Sequence, residues 1–151
     1  MINYSTEYLI LNEDNLDWDQ LSSDSDDSFS LIEIRLFRKR INWKLYFRTH
    51  ITTCPFDMQM LEMGSKYFDK ETYSMLAVFN MIDQDFIEDH IEEFDFSDII
   101  KHCRVDQDFL KDNIEKWSNY ENLPELFKKS EFIDINSPDF SEIKLLIEMN
   151  S

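Results

Sequence analysis

Apolar residues recur along this chain at helical intervals. Phe86, Ile87, Ile91 and Phe94 fall within one stripe, and Phe96, Ile99, Ile100 and Cys103 follow at i, i+3, i+4 and i+7. Tyr120, Leu123, Leu126 and Phe127 follow the next copy at i, i+3, i+6 and i+7, with Pro124 suited to a first helical turn and Asn122 placed to cap it. A last helix is expected from Ser137 and Pro138 through Phe140, Ile143, Leu146 and Ile147. One stretch reads differently. Ile41, Trp43, Leu45, Phe47, Thr49 and Ile51 alternate with polar or long side chains, as in a strand. With Ile32, Ile34 and Leu36 ahead of Arg38, Lys39 and Arg40, it predicts a β-hairpin. Two fold classes are therefore open: all-α, a compact array of short helical hairpin repeats, or α+β with an N-terminal β-hairpin or small sheet around residues 29–51.

An internal repeat favours the first. Residues 82–94 (IDQDFIEDHIEEF) and 105–117 (VDQDFLKDNIEKW) agree at Asp83/Asp106, Gln84/Gln107, Asp85/Asp108, Phe86/Phe109, Asp89/Asp112, Ile91/Ile114 and Glu92/Glu115. Each copy predicts a helix with Asp83 or Asp106 as N-cap, accepting hydrogen bonds from free backbone N–H groups. Asp85 or Asp108 then lies in the first turn, where the helix dipole favours an anion. Weaker copies lie upstream. Leu16-Asp17-Trp18, Ile41-Asn42-Trp43 and Phe68-Asp69 echo Phe94-Asp95-Phe96. These make five or six hairpin units of 23–26 residues, each too small to bury its apolar face without neighbours.

At these residues the chain resembles a loose family of short tandem repeats in uncharacterised proteins of large DNA viruses and phages. Asp85-Phe86-Ile87, Asp108-Phe109-Leu110, Leu16-Asp17-Trp18-Asp19-Gln20-Leu21-Ser22 and Ile41-Asn42-Trp43 match best, over roughly residues 13–133. Copies around Gly64 and Trp117 depart from the pattern. The resemblance implies a viral or phage origin and brings no catalytic residues.

Composition narrows the chemistry. The 151 residues suit a single domain, 1–151, read as an acidic leader 1–27, a basic segment 28–50, helical repeats 54–133 and a C-terminal helix 137–150. One glycine in the whole chain leaves little means of building a phosphate-cradling loop. The net charge of −17 would repel free nucleic acid and attract a basic partner. Within the basic segment, Phe37, Trp43, Tyr46 and Phe47 could stack on bases. Their core-like spacing points instead to burial, with the bases pairing to leader acids such as Asp24, Asp26 and Asp27. No apolar run is long enough to span a membrane, and no signal peptide is apparent. Two cysteines 49 positions apart suit reduced thiols. A cytoplasmic protein of the host cell interior is expected.

Candidate chemistry is sparse. His50 with Cys54, His90, and His102 with Cys103 lack the close ligand pairs of a zinc site. Asp24-Ser25-Asp26-Asp27 lacks the glycine and closing glutamate of a calcium loop. No nucleophile motif is present. No metal, cofactor or catalytic residue is expected, and the chain is read as a non-enzymatic acidic protein-binding protein. Glu88, Asp89, Glu92, Glu93, Asp95 and Asp98 are the candidate partner-binding residues, on one outer face. The expected partner is a basic surface of a host defence or nucleic-acid-handling protein, docked by an inhibitor that can act as a DNA mimic. The alternative is a helical-repeat adaptor or scaffold that grips a partner through an apolar groove, for which Tyr67, Phe68, Tyr73 and Phe79 are candidates.

Overall fold

The computed structural model describes residues 4–50 and 57–150, and every regular element among them is helical. The α-helices are α1 (Thr6–Leu11), α2 (Trp18–Ser22), α3 (Leu31–Phe37), α4 (Trp43–His50), α5 (Met58–Gly64), α6 (Lys70–Val78), α7 (Gln84–Asp89), α8 (Phe96–His102), α9 (Gln107–Asp112), α10 (Ile114–Trp117), α11 (Leu123–Lys128) and α12 (Ser141–Asn150). The all-α reading holds.

The β-hairpin alternative does not hold over the described part of 29–51, and the reason is local. Ser30 and Glu33 form a capping box: Glu33 N–H donates to Ser30 Oγ at 3.2 Å and Ser30 N–H to Glu33 Oε1 at 2.9 Å, which starts α3. Asn42 Oδ1 accepts from Leu45 N–H at 3.2 Å and starts α4. The residues that alternate like a strand also hold a helical stripe, since Trp43, Tyr46, Phe47 and His50 are the buried ones. Ile51 lies outside the described residues.

The caps define the repeat better than the apolar pattern does. First helices are capped by the side chains of Ser5, Ser30, Asp57, Asp83 and Asp106. Second helices are capped by Asp17, Asn42, Asp69 and Asp95. Twelve positions separate the two caps in each of the first four units: Ser5 to Asp17, Ser30 to Asn42, Asp57 to Asp69, Asp83 to Asp95. In the fifth unit the equivalent position is Ser118, and the second helix is delayed to Leu123. Asn122 there takes a left-handed conformation (φ 55°) and makes no side-chain cap bond, contrary to the expected cap. Asparagine tolerates that region because its short polar side chain bonds locally.

The helix expected over 83–94 is shorter than the sequence suggested. It ends at Asp89, and Ile91–Glu93 form a 3-10 turn. His90 (φ −122°, ψ 29°) breaks the helix, with its N–H directed at the carbonyls of Phe86 and Ile87. Asn113 repeats those angles (φ −113°, ψ 25°) in the next copy. A straight helix over twelve residues would run about 18 Å and leave no return path for the second helix of the hairpin.

Two compact units make up the chain, Met1–Thr72 and Tyr73–Ser151. In the first, α2 packs on α4 and α3 beside α5. Its core is aromatic: Trp43 contacts Phe47 and Phe68 at ring-centroid distances of 5.6 and 5.2 Å. Trp18 and Trp43 each donate their indole N–H five residues back, to Glu13 O and Arg38 O, both at 2.9 Å. In the second unit, α8 packs on α11 and α9 on α12 around Phe96, Ile99, Ile100, Cys103 and Trp117. Trp117 is fully buried and donates to Leu110 O at 2.9 Å.

Polar side chains tie repeat to repeat. In the first unit Asn42 N–H donates to the buried Ser22 Oγ at 2.9 Å. In the second, Gln84 Oε1 accepts from Asp106 N–H at 3.0 Å, and Gln107 Oε1 accepts from Glu142 N–H at 2.9 Å. The Gln shared by the two best copies thus reaches the start of a later helix in both.

Gly64 closes α5 with φ −90°, a backbone any residue adopts, so its role is space. A Cβ there would sit 2.6 and 2.7 Å from the Trp43 ring and 2.9 Å from Phe68. Gly64→Ala is therefore expected to destabilise by about 1–3 kcal/mol through overpacking, against about 1 kcal/mol of helix propensity in favour of alanine. Thermal denaturation checks this, and a raised midpoint would show that the ring pair has room. Asp83→Ala and Asp106→Ala should each cost about 1 kcal/mol as lost caps.

Candidate functional site

The hairpin register divides α5, α7 and α9 into an inner and an outer set. Counting from the cap, the first, second, fifth and sixth residues point away from the buried pair at the third and fourth, Met60-Leu61, Phe86-Ile87 and Phe109-Leu110; α3 instead buries its fourth and seventh, Ile34 and Phe37, and leaves Leu31, Ile32, Arg35 and Leu36 exposed. In the fourth and fifth repeats these outer positions are Gln84, Asp85, Glu88, Asp89 and Gln107, Asp108, Lys111, Asp112. In the second and third they are Leu31, Ile32, Arg35, Leu36 and Met58, Gln59, Glu62, Met63. The same scaffold positions are acidic in one compact unit and largely apolar in the other.

The six carboxylates picked from the sequence divide by duty. Glu88 and Asp89 hold outer positions on α7, with Gln84 Nε2 donating to Glu88 at 3.0 Å. Glu92 pairs with Lys116 at 2.8 Å, one copy to the next. Asp95 caps α8, accepting from the N–H and hydroxyl of Ser97 at 2.9 and 2.8 Å. Asp98 accepts from the Ser74 hydroxyl at 2.9 Å. Glu93 lies exposed in the 3-10 turn. Glu92, Asp95 and Asp98 thus have structural work, while Glu88 and Asp89 face outward. Sequence reasoning missed Asp85, Asp108 and Asp112 as members of the outer set. The repeat alignment was the signal that could have found them, because it matches Asp85 to Asp108 and Asp89 to Asp112.

The acidic set is lightly compensated. Residues 73–151 hold nineteen acids against seven bases. Lys111 and Lys116 are taken by Glu142 and Glu92, and His102 Nδ1 lies 3.0 Å from Glu131.

The basic segment behaves as core and staple. Phe37, Trp43, Tyr46 and Phe47 are all buried, so none presents a face to a base. Arg40 pairs with Glu13 at 3.2 Å and with Asp14, leader acids other than the expected Asp24, Asp26 and Asp27. Lys44 pairs with Glu71 at 2.7 Å. Asp24 instead accepts from Asp26 N–H at 2.9 Å in its own turn.

The four aromatics expected to line a groove are largely covered. Tyr73 is buried, and Phe68 packs on Trp43 and Phe47; of that set only Phe79 is strongly exposed. Exposed aliphatic surface lies instead between α3 and α5, where Leu31, Ile32 and Leu36 are 39%, 69% and 50% exposed and line a groove with Met58 and Met63.

No group of three or more His, Cys, Asp or Glu side chains among the described residues could hold a metal ion. Cys54 lies outside those residues. Cys103 is buried with its Sγ 3.6 Å from Ala77 O, and burial pushes its thiol up to about 12, so it stays protonated at neutral pH. No described helix is long and apolar enough to cross a membrane. No protein-family model, curated protein or solved structure matches the chain.

His50 is the one buried imidazole whose chemistry changes with pH in a readable way. It is 2% exposed, lies 4.5 Å from the Tyr46 ring, and its Nε2 has no hydrogen-bond partner among the described residues. Burial holds its pKa below the ordinary 6.5, with Asp24 and Asp27 opposing in part. The folded state therefore resists protonation more than the unfolded chain does, and stability should fall as pH drops below about 6.5. His50→Phe should flatten that slope in urea titrations at pH 7 and pH 5; an unchanged slope would assign the acid sensitivity to other groups.

Proposed function

We propose that this chain is a non-enzymatic interaction protein whose acidic outer face docks a basic surface of another protein. The observation that carries the reading is the register of α7 and α9. Asp85, Glu88, Asp89, Asp108 and Asp112 occupy exposed outer positions on these two helices, and at two of the matching positions α3 carries the apolar Ile32 and Leu36. Carboxylates at fixed intervals on a rigid array present a row of anionic oxygens, the feature a protein that handles nucleic acid recognises in a phosphate backbone. The resemblance to viral and phage repeats suits an inhibitor of a host defence or nucleic-acid-handling protein, acting in the host cytoplasm.

Charge complementarity of this kind speeds encounter and is screened by salt. A tagged chain should retain a basic protein from host lysate at low salt and lose it at high salt. The variant Glu88→Lys, Asp89→Lys and Asp112→Lys should lose it at low salt too. All three positions lie in the last turn of a helix, where the dipole favours a cation, so the fold should tolerate the change. Reversing Asp26, Asp27 and Glu121 makes the same change in net charge elsewhere and should leave capture intact. A partner that survives high salt and the α7/α9 variant contradicts the reading.

A further inference from the structure

The groove between α3 and α5 is not a by-product of folding. Leu31, Ile32 and Leu36 from α3 and Met58 and Met63 from α5 occupy outer register positions. The fourth and fifth repeats build the same hairpin with Gln, Asp, Glu and Lys at those positions, so the scaffold does not require apolar residues there. Leaving Ile32 at 69% and Leu36 at 50% exposure forgoes burial that a polar side chain would not miss.

The charges in the groove say what covers it. Arg35 and Glu62 both line it, and each is the fifth residue past its own helix cap, Ser30 for α3 and Asp57 for α5. Two neighbouring helices thus carry opposite charge at one register position, inside an otherwise apolar strip. Arg35 makes no ion pair or hydrogen bond with another described side chain. A surface that holds an apolar strip and one charge of each sign is complementary to itself under a twofold rotation.

We propose that the occupant is a second copy of this chain, bound through an isologous contact with its twofold axis along the groove. That axis lays α3 of one copy on α5 of the other. Arg35 then meets the partner's Glu62 and Glu62 meets the partner's Arg35, while Leu31, Ile32 and Leu36 close over the partner's methionines. Each copy carries −17, so long-range repulsion opposes the contact and salt relieves it. Self-association should therefore tighten as salt rises, opposite to the behaviour expected of the acidic face. The dimer would display two acidic faces, yet it stands or falls separately from that reading, because it uses different residues and needs no other protein.

Analytical ultracentrifugation of the full chain tests this across a concentration series at about 0.05 M and about 0.5 M NaCl. The expected result is a monomer–dimer equilibrium that strengthens at the higher salt. Ile32→Glu, at an exposed position that leaves the core untouched, should abolish it with unchanged circular dichroism. Arg35→Glu and Glu62→Arg should each weaken it roughly tenfold or more, since each sets like charges opposite one another. The double swap should restore it. A monomer at every concentration and salt overturns the proposal. So does a dimer indifferent to Ile32→Glu, or a double swap that stays as weak as the single variants.

Discussion

Everything in this structure depends on how helices this short are held. Most have four to seven residues and the longest has ten. Isolated helices below about 12–15 residues are marginal in water. Two devices compensate. Side-chain caps satisfy the free N–H groups at the helix starts, and neighbouring repeats cover each hairpin's apolar face. The caps recur at a fixed spacing of twelve in four units, and the ties from Asn42 to Ser22 and from Gln84 to Asp106 join one repeat to the next. Where the spacing fails, at Ser118, the chain inserts residues before α11 and bends through the left-handed Asn122.

A scaffold held largely by caps and inner positions leaves several outer positions, among them 85, 89 and 112, outside the ties between repeats, although Gln84, Gln107 and Lys111 do reach later helices. That freedom explains how one repeat can carry Asp85, Glu88 and Asp89 where another carries Ile32, Arg35 and Leu36. It also separates the acids that work structurally, such as Asp83, Asp95 and Asp106 at caps, from those that do not. Net charge alone hides this difference, since a capping aspartate and an outward one count equally toward −17.

The helical class and the repeat were legible because apolar spacing and capping residues report the same thing. The aspartates at 83 and 106 cap as their positions implied, whereas Asp95, read from the sequence as a partner contact, is a third cap. The strand reading of 41–51 arose because alternation and a helical stripe share Trp43 and Phe47, and periodicity over so short a span cannot separate them. The capping side chains of Ser30 and Asn42 decide the matter. The break at His90 was hidden for a different reason: Ile91 and Phe94 keep helical spacing although the chain has already turned. Of the six acids singled out, Glu88 and Asp89 lie exposed on α7, while the duties of Glu92, Asp95 and Asp98 needed the positions of Lys116, Ser97 and Ser74. The apolar groove escaped because Leu31, Ile32 and Leu36 look like core residues until the register shows which way they face.

Neighbouring repeats, rather than the hairpin itself, hold each unit in shape. Circular dichroism of a peptide spanning residues 82–104, which carries α7 and α8, tests this. A largely unfolded peptide in water is expected, with helix recovered only in the full chain. A peptide that is helical and melts cooperatively by itself would contradict it and make each repeat an independent fold.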